Sequence, residues 1–397
     1  MTPYRVIKSR WTSALYPRDT DHTQALPRSH IKMPRLTVTI QVNNKPLKRA
    51  YVEHVWRFGI IGGPIQLYMT DDQGEFHFNS QTNDADIRIM GQNSVARIIE
   101  GGGIGFVADI WVYKKVGNRD VVRLDTREEK VQQFQILNQA LEHYDSVHRQ
   151  FVPFSVLPNP NFPLGKRETL QKTKDQARRI EIVYPDNLFQ ELAFVEPKSI
   201  RTSYPLVHLK GPGQGRGDGS GPLPHEFAHA LHFALLDGDK RGDVELNYAK
   251  FLIGDALAGG RAHHGFNIQT TPMVAYIEAF GLFSERFARY QTSSAAEGAA
   301  LHTAFVQAEL QRPDTARIVT SNAPVQPAFM RDDVEGAVYG AIFVHFASLT
   351  TLATAVEAFY RSEAVTFDGY HRWIHANMGQ VQATLSAIDE VKSTWGM

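Results

Sequence analysis

The period of the hydrophobic pattern changes along the chain, and this change limits what the sequence can fold into. From Arg35, apolar and polar residues alternate in short runs such as LTVTIQV and EFHFN, which are separated by the turn sequences NNKP and DDQG. Alternation of this kind is typical of half-buried strands. From Leu223 onward, apolar residues instead recur every three or four positions, as they do in amphipathic helices. We therefore expect strands first and helices afterwards.

This order predicts a multi-domain chain with three segments. Residues 1–30 are expected to form an extended arm, residues 31–120 an antiparallel β-sandwich, and residues 125–397 an α+β domain that is mostly helical. Apolar residues at helical spacing predict a helix from Arg127 to Phe151. The strands and turns from Leu36 to Phe78 resemble the small accessory sandwiches of the carboxypeptidase-regulatory-like and immunoglobulin-like types.

The composition excludes several classes of function. The 397 residues include 42 basic and 42 acidic side chains, so no net charge attracts the protein to nucleic acid. The absence of cysteine excludes disulfides, thiolate nucleophiles and cysteine metal sites. A bound metal ion would therefore need histidine, aspartate or glutamate ligands.

The most informative motif is His225-Glu226-Phe227-Ala228-His229, which lies inside the apolar segment LPHEFAHALHFALL. Positions i and i+4 of a helix lie on one face, so His225 and His229 can present imidazole nitrogens to one ion. Glu226 lies one position further around the helix, where it can reach a water molecule held by that ion and act as its general base. Polar side chains without partners would be costly on such an apolar helix. The motif therefore predicts a metal site.

The third ligand is expected from the helical segment TPMVAYIEAFGLFSERFARY. Within it, Glu278 is followed by Ala279 and Gly281, small residues that allow this helix to approach the motif helix closely. The combination of His225, Glu226, His229 and Glu278 resembles the gluzincin group of zinc metallopeptidases. That resemblance implies two histidine ligands, a glutamate base and a glutamate ligand. Three acidic residues remain alternatives for the third ligand: Glu285, Asp237 and Asp255.

Other residues near the motif have weaker signals. His232 is on the same helix as the motif but too far along its axis to complete the site. We expect it to pack inside the protein; a role in supporting a metal ligand or contacting the substrate is the alternative. The resemblance implies a sheet whose edge strand lines the cleft, and the segment from Tyr204 to Lys210 is a candidate for that strand; packing in a small sheet without substrate contact is the alternative. Three side chains are candidates to stabilise a developing oxyanion: His263, His264 and Tyr339.

The resemblance implies a zinc-dependent metallopeptidase of endopeptidase type with a zincin-like catalytic domain. Its substrate would be a peptide or protein, its cofactor Zn²⁺, and Glu226 would be the general base for a metal-activated water. The alternative is a binding or adhesion protein in which the β-sandwich acts and the metal site is structural. A Glu226→Gln variant separates the two hypotheses, because only the enzyme loses an activity while keeping its metal.

The sequence gives little information on location and partners. The uncharged stretch from Ala337 to Val356 contains several hydroxyl side chains and a histidine, so we expect a buried helix and no stable membrane insertion. We expect no nucleic-acid partner. No secretory signal is visible, which leaves a cytoplasmic protein and one exported without a classical signal both open. No pattern indicates the oligomeric state.

Overall fold

The computed structural model of the protein describes residues 33–58, 61–102, 106–125, 130–149, 180–186, 194–196, 205–210, 223–236, 238–257, 270–290, 338 and 358–377. The described residues from Pro34 onward belong to one compact unit. The predicted arm over residues 1–30 lies outside the described residues.

Strands make up most of the first described part of the chain. Alternating burial, as in Arg35–Val42, where every second side chain is buried, is what a strand with one face on a core shows. The strands are β1 (Arg35–Val42), β2 (Lys45–Pro46), β3 (Ala50–Phe58), β4 (Ile61–Met69), β5 (Glu75–Asn79), β6 (Asp84–Asn93), β7 (Ala96–Gly102), β8 (Phe106–Asp109), β9 (Trp111–Gly117), β10 (Asp120–Leu124), β11 (Ile180–Asp186), β12 (Phe194–Glu196) and β13 (Leu206–Lys210).

One helix lies between β10 and β11 in the chain, and the others follow β13. A π-helical turn, Tyr144–His148, continues the first helix without a break. The helices are α1 (Val131–His143), α2 (Leu223–Leu235), α3 (Gly238–Leu257), α4 (Pro272–Tyr290) and α5 (Phe367–Asn377).

The strands form two sheets, and both contain parallel and antiparallel pairs. In the smaller sheet, β1 pairs in parallel with β10 and antiparallel with β2 and β5. The larger sheet has the order β12-β13-β11-β7-β6-β3-β4, with β8 beside β7 and β9 beside β6. Its strands β7, β11 and β13 run parallel, whereas β6, β3 and β4 are antiparallel to their neighbours.

The expected fold class is therefore wrong. An antiparallel sandwich followed by a mostly helical zincin-like domain would keep the early strands apart from the later ones. Instead, β7 from the early part pairs with β11 from the later part, and the described structure is rich in mixed sheet. The error has a physical cause, since alternation identifies strands but does not identify which strands pair or in which direction.

The link between β6 and β7 depends on a buried asparagine. The Asn93 side-chain oxygen accepts hydrogen bonds from the backbone N–H groups of Val95 and Ala96, at 2.9 and 2.8 Å. Its amide nitrogen donates to the Leu137 carbonyl of α1 at 2.9 Å. One side chain thus satisfies two backbone N–H groups at the corner between β6 and β7 and connects that corner to α1 by a hydrogen bond.

The first two helices pack against the larger sheet. The predicted helix from Arg127 to Phe151 is confirmed over Val131–His148, the last five residues being π-helical. It packs on β6 and β7, and α2 packs against α1, α4, β12 and β13. The described part of the segment from Tyr204 to Lys210 is not an edge strand, because β13 lies between β11 and β12. In the described part of the sheet, β12 is the terminal strand on that side.

None of the helices in the described ranges is both long and apolar enough to cross a membrane. The predicted buried helix from Ala337 to Val356 lies outside the described residues except for Val338, which is helical and buried.

Candidate metal centre

The helix α2 is apolar on almost every side, and its polar residues are buried apart from His225, which is partly buried. It begins at Leu223 with Pro224 in its first turn, where a proline is tolerated because that N–H has no partner within the helix. Its core-facing side chains include Phe227, Leu231 and Phe233. The histidines of the same helix are therefore held among packed neighbours, with little freedom to turn into water.

His225 and His229 face each other across one helical turn. Their Nε2 atoms are 3.0 Å apart, with the ring planes nearly perpendicular at 89°. A neutral imidazole carries a proton on one nitrogen and a lone pair on the other. Two Nε2 atoms aimed at the same point can therefore direct two lone pairs at one ion.

Glu278 of α4 completes this group. Its Oε2 lies 3.1 Å from His225 Nε2 and 3.5 Å from His229 Nε2. The carboxylate is 4% exposed, so its negative charge is held away from solvent against two imidazoles. We call His225, His229 and Glu278 the metal cluster; one ligand atom from each lies within 4.8 Å of the others.

Gly281 makes the close approach of α4 possible. A Cβ atom at this position would lie 2.6 Å from His229 Cε1 and 2.8 Å from His225 Cε1. Those distances are far below a van der Waals contact, so no larger residue fits without displacing an imidazole. The small residue that the sequence placed three positions after Glu278 therefore sets the separation of the two helices.

The spacing of the metal cluster fits a tetrahedral ion. Ligands at about 2.0 to 2.1 Å from zinc lie about 3.3 Å from one another. The three separations in the cluster, 3.0, 3.1 and 3.5 Å, bracket that value. Two imidazoles and one carboxylate form a donor set that suits zinc, and the carboxylate offsets half of its charge.

The other predicted residues of α2 and α4 lie outside the metal cluster. Glu226 is buried, and its carboxylate is not part of the cluster. Glu285 is half-buried further along α4 and is also not a member. Asp255 lies on α3. Four further candidates lie outside the described residues: Asp237, His263, His264 and Tyr339.

His232 packs inside the protein, as its place on the helix predicted. Its Nε2–H donates to the Ala364 carbonyl at 3.1 Å, and its ring contacts Phe359. Burial, together with the neighbouring His229, lowers the pKa of His232 to about 3, although the bond to Ala364 opposes this shift. The ring is therefore neutral at pH 7 and contributes packing and one hydrogen bond.

A second polar group next to α2 was missed by the sequence reasoning. It includes His143 and His148, which are five residues apart and both buried. Residues five apart point about 140° away from each other on an α-helix, so periodicity gave no signal that these side chains would meet.

No protein-family model and no curated protein sequence matches this chain. Among solved structures, a 9R-lipoxygenase from Cyanothece is similar over 27% of this chain and 18% of the lipoxygenase chain, with 14% identity and a TM-score of 0.15. The match spans less than a fifth of the lipoxygenase, and at that TM-score it carries no argument about fold or activity.

Proposed function

We propose that the protein is a zinc-dependent hydrolase that cleaves peptide bonds. The observation that carries the proposal is the metal cluster, in which two imidazole nitrogens and one carboxylate oxygen converge at ligand spacing. The described residues supply three protein ligands, the number that catalytic zinc sites use, since three ligands leave one coordination position for water or substrate. A structural zinc site normally has four protein ligands.

The residues of the chain would divide the work between binding and proton transfer. A bound zinc ion supplies Lewis acidity and lowers the pKa of water towards about 7. His225 and His229 would hold it with neutral nitrogens, and Glu278 would contribute one negative charge. Glu226 would accept a proton on its carboxylate from the attacking water and return it to the leaving nitrogen. Its place directly after His225 on α2 supports that role, because a glutamate at this position can reach a water molecule held by the ion.

The position of the large sheet supports a peptide as the substrate class. The helix α2 packs against β12 and β13, and β12 is the terminal strand of the described sheet on that side. An exposed strand edge binds an extended peptide by adding a strand to the sheet. A peptide bound along β12 would therefore lie beside the helix that carries His225 and Glu226.

A comparison of two glutamine variants tests the proposal. Glu226→Gln removes the general base but no ligand, so we expect zinc to remain bound while cleavage of unfolded casein falls at least about 100-fold. Glu285→Gln is the matched control, because it removes a half-buried glutamate of α4 outside the cluster; we expect it to keep both zinc and activity. Zinc bound by an inactive wild-type protein, with no difference between the variants on any peptide library, would indicate a structural site.

A further inference from the structure

A group of buried polar side chains lies next to α2 and includes none of the metal ligands. Its members come from the end of α1, the π turn, α4 and residues 358–362, so it connects four parts of the fold. All four side chains are buried. We call this group the buried histidine chain; it consists of Tyr360, His148, Ser284 and His143.

The π turn brings the two histidines together. On a regular α-helix His143 and His148 would point in different directions, because they are five residues apart. The turn instead has an i to i+5 hydrogen bond, from the Arg149 N–H to the Tyr144 carbonyl at 2.9 Å. This wider turn places both imidazoles on one side, with their Nε2 atoms 3.2 Å apart. Isolated π turns of this kind are rare in proteins, and those that occur are often found at functional sites.

The hydrogen bonds follow one another in sequence and end at the helix of the motif. Tyr360 Oη is 2.7 Å from His148 Nδ1. Ser284 Oγ is 3.2 Å from His148 Nε2 and 3.2 Å from His143 Nε2. The ring of His143 packs edge-on against Phe227 of α2, with ring centroids 6.3 Å apart. The backbone carbonyl of Pro224, the residue immediately before His225, acts on the same ring as a hydrogen-bond acceptor that raises its pKa against the effect of burial.

The carbonyl of Pro224 determines which nitrogen of His143 carries the proton. A carbonyl only accepts, so the His143 nitrogen that faces it donates, and His143 Nε2 is left as an acceptor. Ser284 Oγ and His148 Nε2 both lie 3.2 Å from His143 Nε2, and the arrangement that satisfies all four side chains has Ser284 donating to it. Ser284 in turn accepts from His148 Nε2–H, and His148 Nδ1 accepts from the Tyr360 hydroxyl. Burial lowers the pKa of His143 to about 3 and that of His148 well below its ordinary value, so both rings are neutral at pH 7. Each member then makes one donation and has one fixed orientation.

A second metal ion is the rival explanation for this geometry. Two Nε2 atoms and the Ser284 oxygen lie 3.2 Å from one another, which is also ligand spacing. The metal cluster, however, contains a carboxylate, whereas no carboxylate of a described residue hydrogen-bonds to the buried histidine chain. Zinc takes its protein ligands from cysteine, histidine, aspartate and glutamate, so two imidazoles and a neutral serine hydroxyl supply only two ordinary ligands. The ordered hydrogen bonds satisfy the same atoms without any charge.

We infer that the buried histidine chain positions the metal cluster. It holds Pro224, and thereby His225, at a fixed place relative to α4, which carries both Ser284 and Glu278. The inference rests on the proposed zinc site, because it assigns these four side chains the task of keeping that site's ligands in register. They are positioning residues, since none of them belongs to the cluster itself.

Zinc affinity in matched variants tests this inference. Ser284→Ala breaks the middle link, and we expect the zinc dissociation constant to rise about tenfold. That is the lower end of the range for losing a residue bonded directly to a ligand, because Ser284 acts on the ligands through His143. The control is Thr70→Val. Thr70 lies just after β4, and its hydroxyl is fully buried and donates to the backbone carbonyl of Leu47. The control is expected to lose stability but to keep its zinc affinity within about twofold of the wild type. Tyr360→Phe, which removes the first donor, provides a second variant if Ser284→Ala does not fold.

A spectroscopic readout separates positioning from general loss of stability. In the cobalt-substituted proteins, the visible absorption bands report ligand geometry; we expect them to shift in Ser284→Ala and Tyr360→Phe but not in Thr70→Val. Unchanged affinity and unchanged bands in both chain variants would overturn the inference while leaving the zinc site intact. Two zinc ions in the wild type and one in Ser284→Ala would overturn it in favour of a second metal site. A wild type that binds no zinc would refute the proposed function and, with it, the inference.

Discussion

Gly281 of α4 lies directly against the imidazole of His229, so closely that a Cβ atom there would be 2.6 Å from His229 Cε1. The contact explains how a glutamate on one helix reaches two histidines on another. Gly281 lies within a helix, so the glycine is not needed there for a special backbone conformation. Its lack of a side chain matters because it leaves room for the imidazole ligands.

Gly281→Ala is expected to damage the metal cluster. The added methyl group must displace an imidazole or push α4 away, and overpacking of this kind costs about 1 to 3 kcal/mol in the free energy of unfolding. We also expect zinc affinity to fall by at least about tenfold, because the ligand atoms move apart. Gly242→Ala is the control: it lies inside α3 with no atom within 4 Å of the added Cβ, and alanine there should stabilise the protein by about 0.5 to 1 kcal/mol. Equal zinc affinity in the two variants would show that the contact with His229 does not set the ligand positions.

The two glutamates of α4 should behave differently towards zinc. Glu278→Gln removes the anionic ligand, so we expect zinc affinity to fall by more than the roughly 10- to 100-fold that loss of an outer partner causes. Glu285→Gln should leave it unchanged, because Glu285 is not in the metal cluster. Competition with a chromophoric chelator measures both. Loss of zinc in Glu285→Gln but not in Glu278→Gln would identify Glu285 as the third ligand.

The buried histidines should make folding sensitive to acid. In the folded protein the pKa of His143 and that of His232 are lowered to about 3, against an ordinary value of 6.5. Between these values the unfolded chain binds more protons, so the free energy of unfolding falls as the pH falls from about 6.5 towards 3. Each such histidine contributes at most about 1.4 kcal/mol per pH unit.

The contribution of His232 can be isolated by substitution. His232→Gln keeps an N–H that can donate to the Ala364 carbonyl but does not titrate. Urea unfolding of the variant and the wild type at several pH values between 7 and 4, with equal zinc in both series, should show a shallower loss of stability in the variant. Parallel curves would mean that His232 takes up a proton in the folded protein as easily as in the unfolded chain.

The corner between β6 and β7 should be a weak point of the fold when its asparagine is removed. Asn93→Ala leaves the N–H groups of Val95 and Ala96 and the carbonyl of Leu137 without that partner, and we expect a loss of about 2 to 4 kcal/mol in the free energy of unfolding. Asn118→Ala, which removes one exposed hydrogen bond to the Thr37 N–H, should cost about 1 kcal/mol or less. Similar losses in chemical denaturation would show that the corner is not held by Asn93.

The sequence predicted local features well and long-range pairing poorly. The alternation in Arg35–Val42 predicted a strand, and the helix from Val131 was predicted by the spacing of its apolar residues. The sheet order could not be predicted, because the pairing of β7 with β11 joins segments far apart in sequence and depends on which buried faces fit together. The structure therefore contains mixed sheets where an antiparallel sandwich was expected.

In the candidate site, too, local relationships could be predicted and most long-range contacts could not. His225 and His229 lie one turn apart, so a local pattern was enough to bring them onto one face. Glu278 could be proposed because small residues follow it in an apolar helix, which is a packing argument that needs only one segment. The meeting of His143 with His148 and Ser284 depends on a π turn and on the docking of α4, and nothing in the local sequence pattern signals either.

X-ray absorption at the zinc edge, on protein purified with zinc supplied in excess, tests the central claim most directly. We predict one zinc ion per chain, with two imidazole nitrogens and at least one oxygen at about 2.0 to 2.1 Å, and loss of an imidazole contribution in His229→Ala. A protein that stays free of metal under those conditions, or a bound ion whose ligand shell is the same in wild type and His229→Ala, would contradict the assignment of His225, His229 and Glu278 as a zinc site.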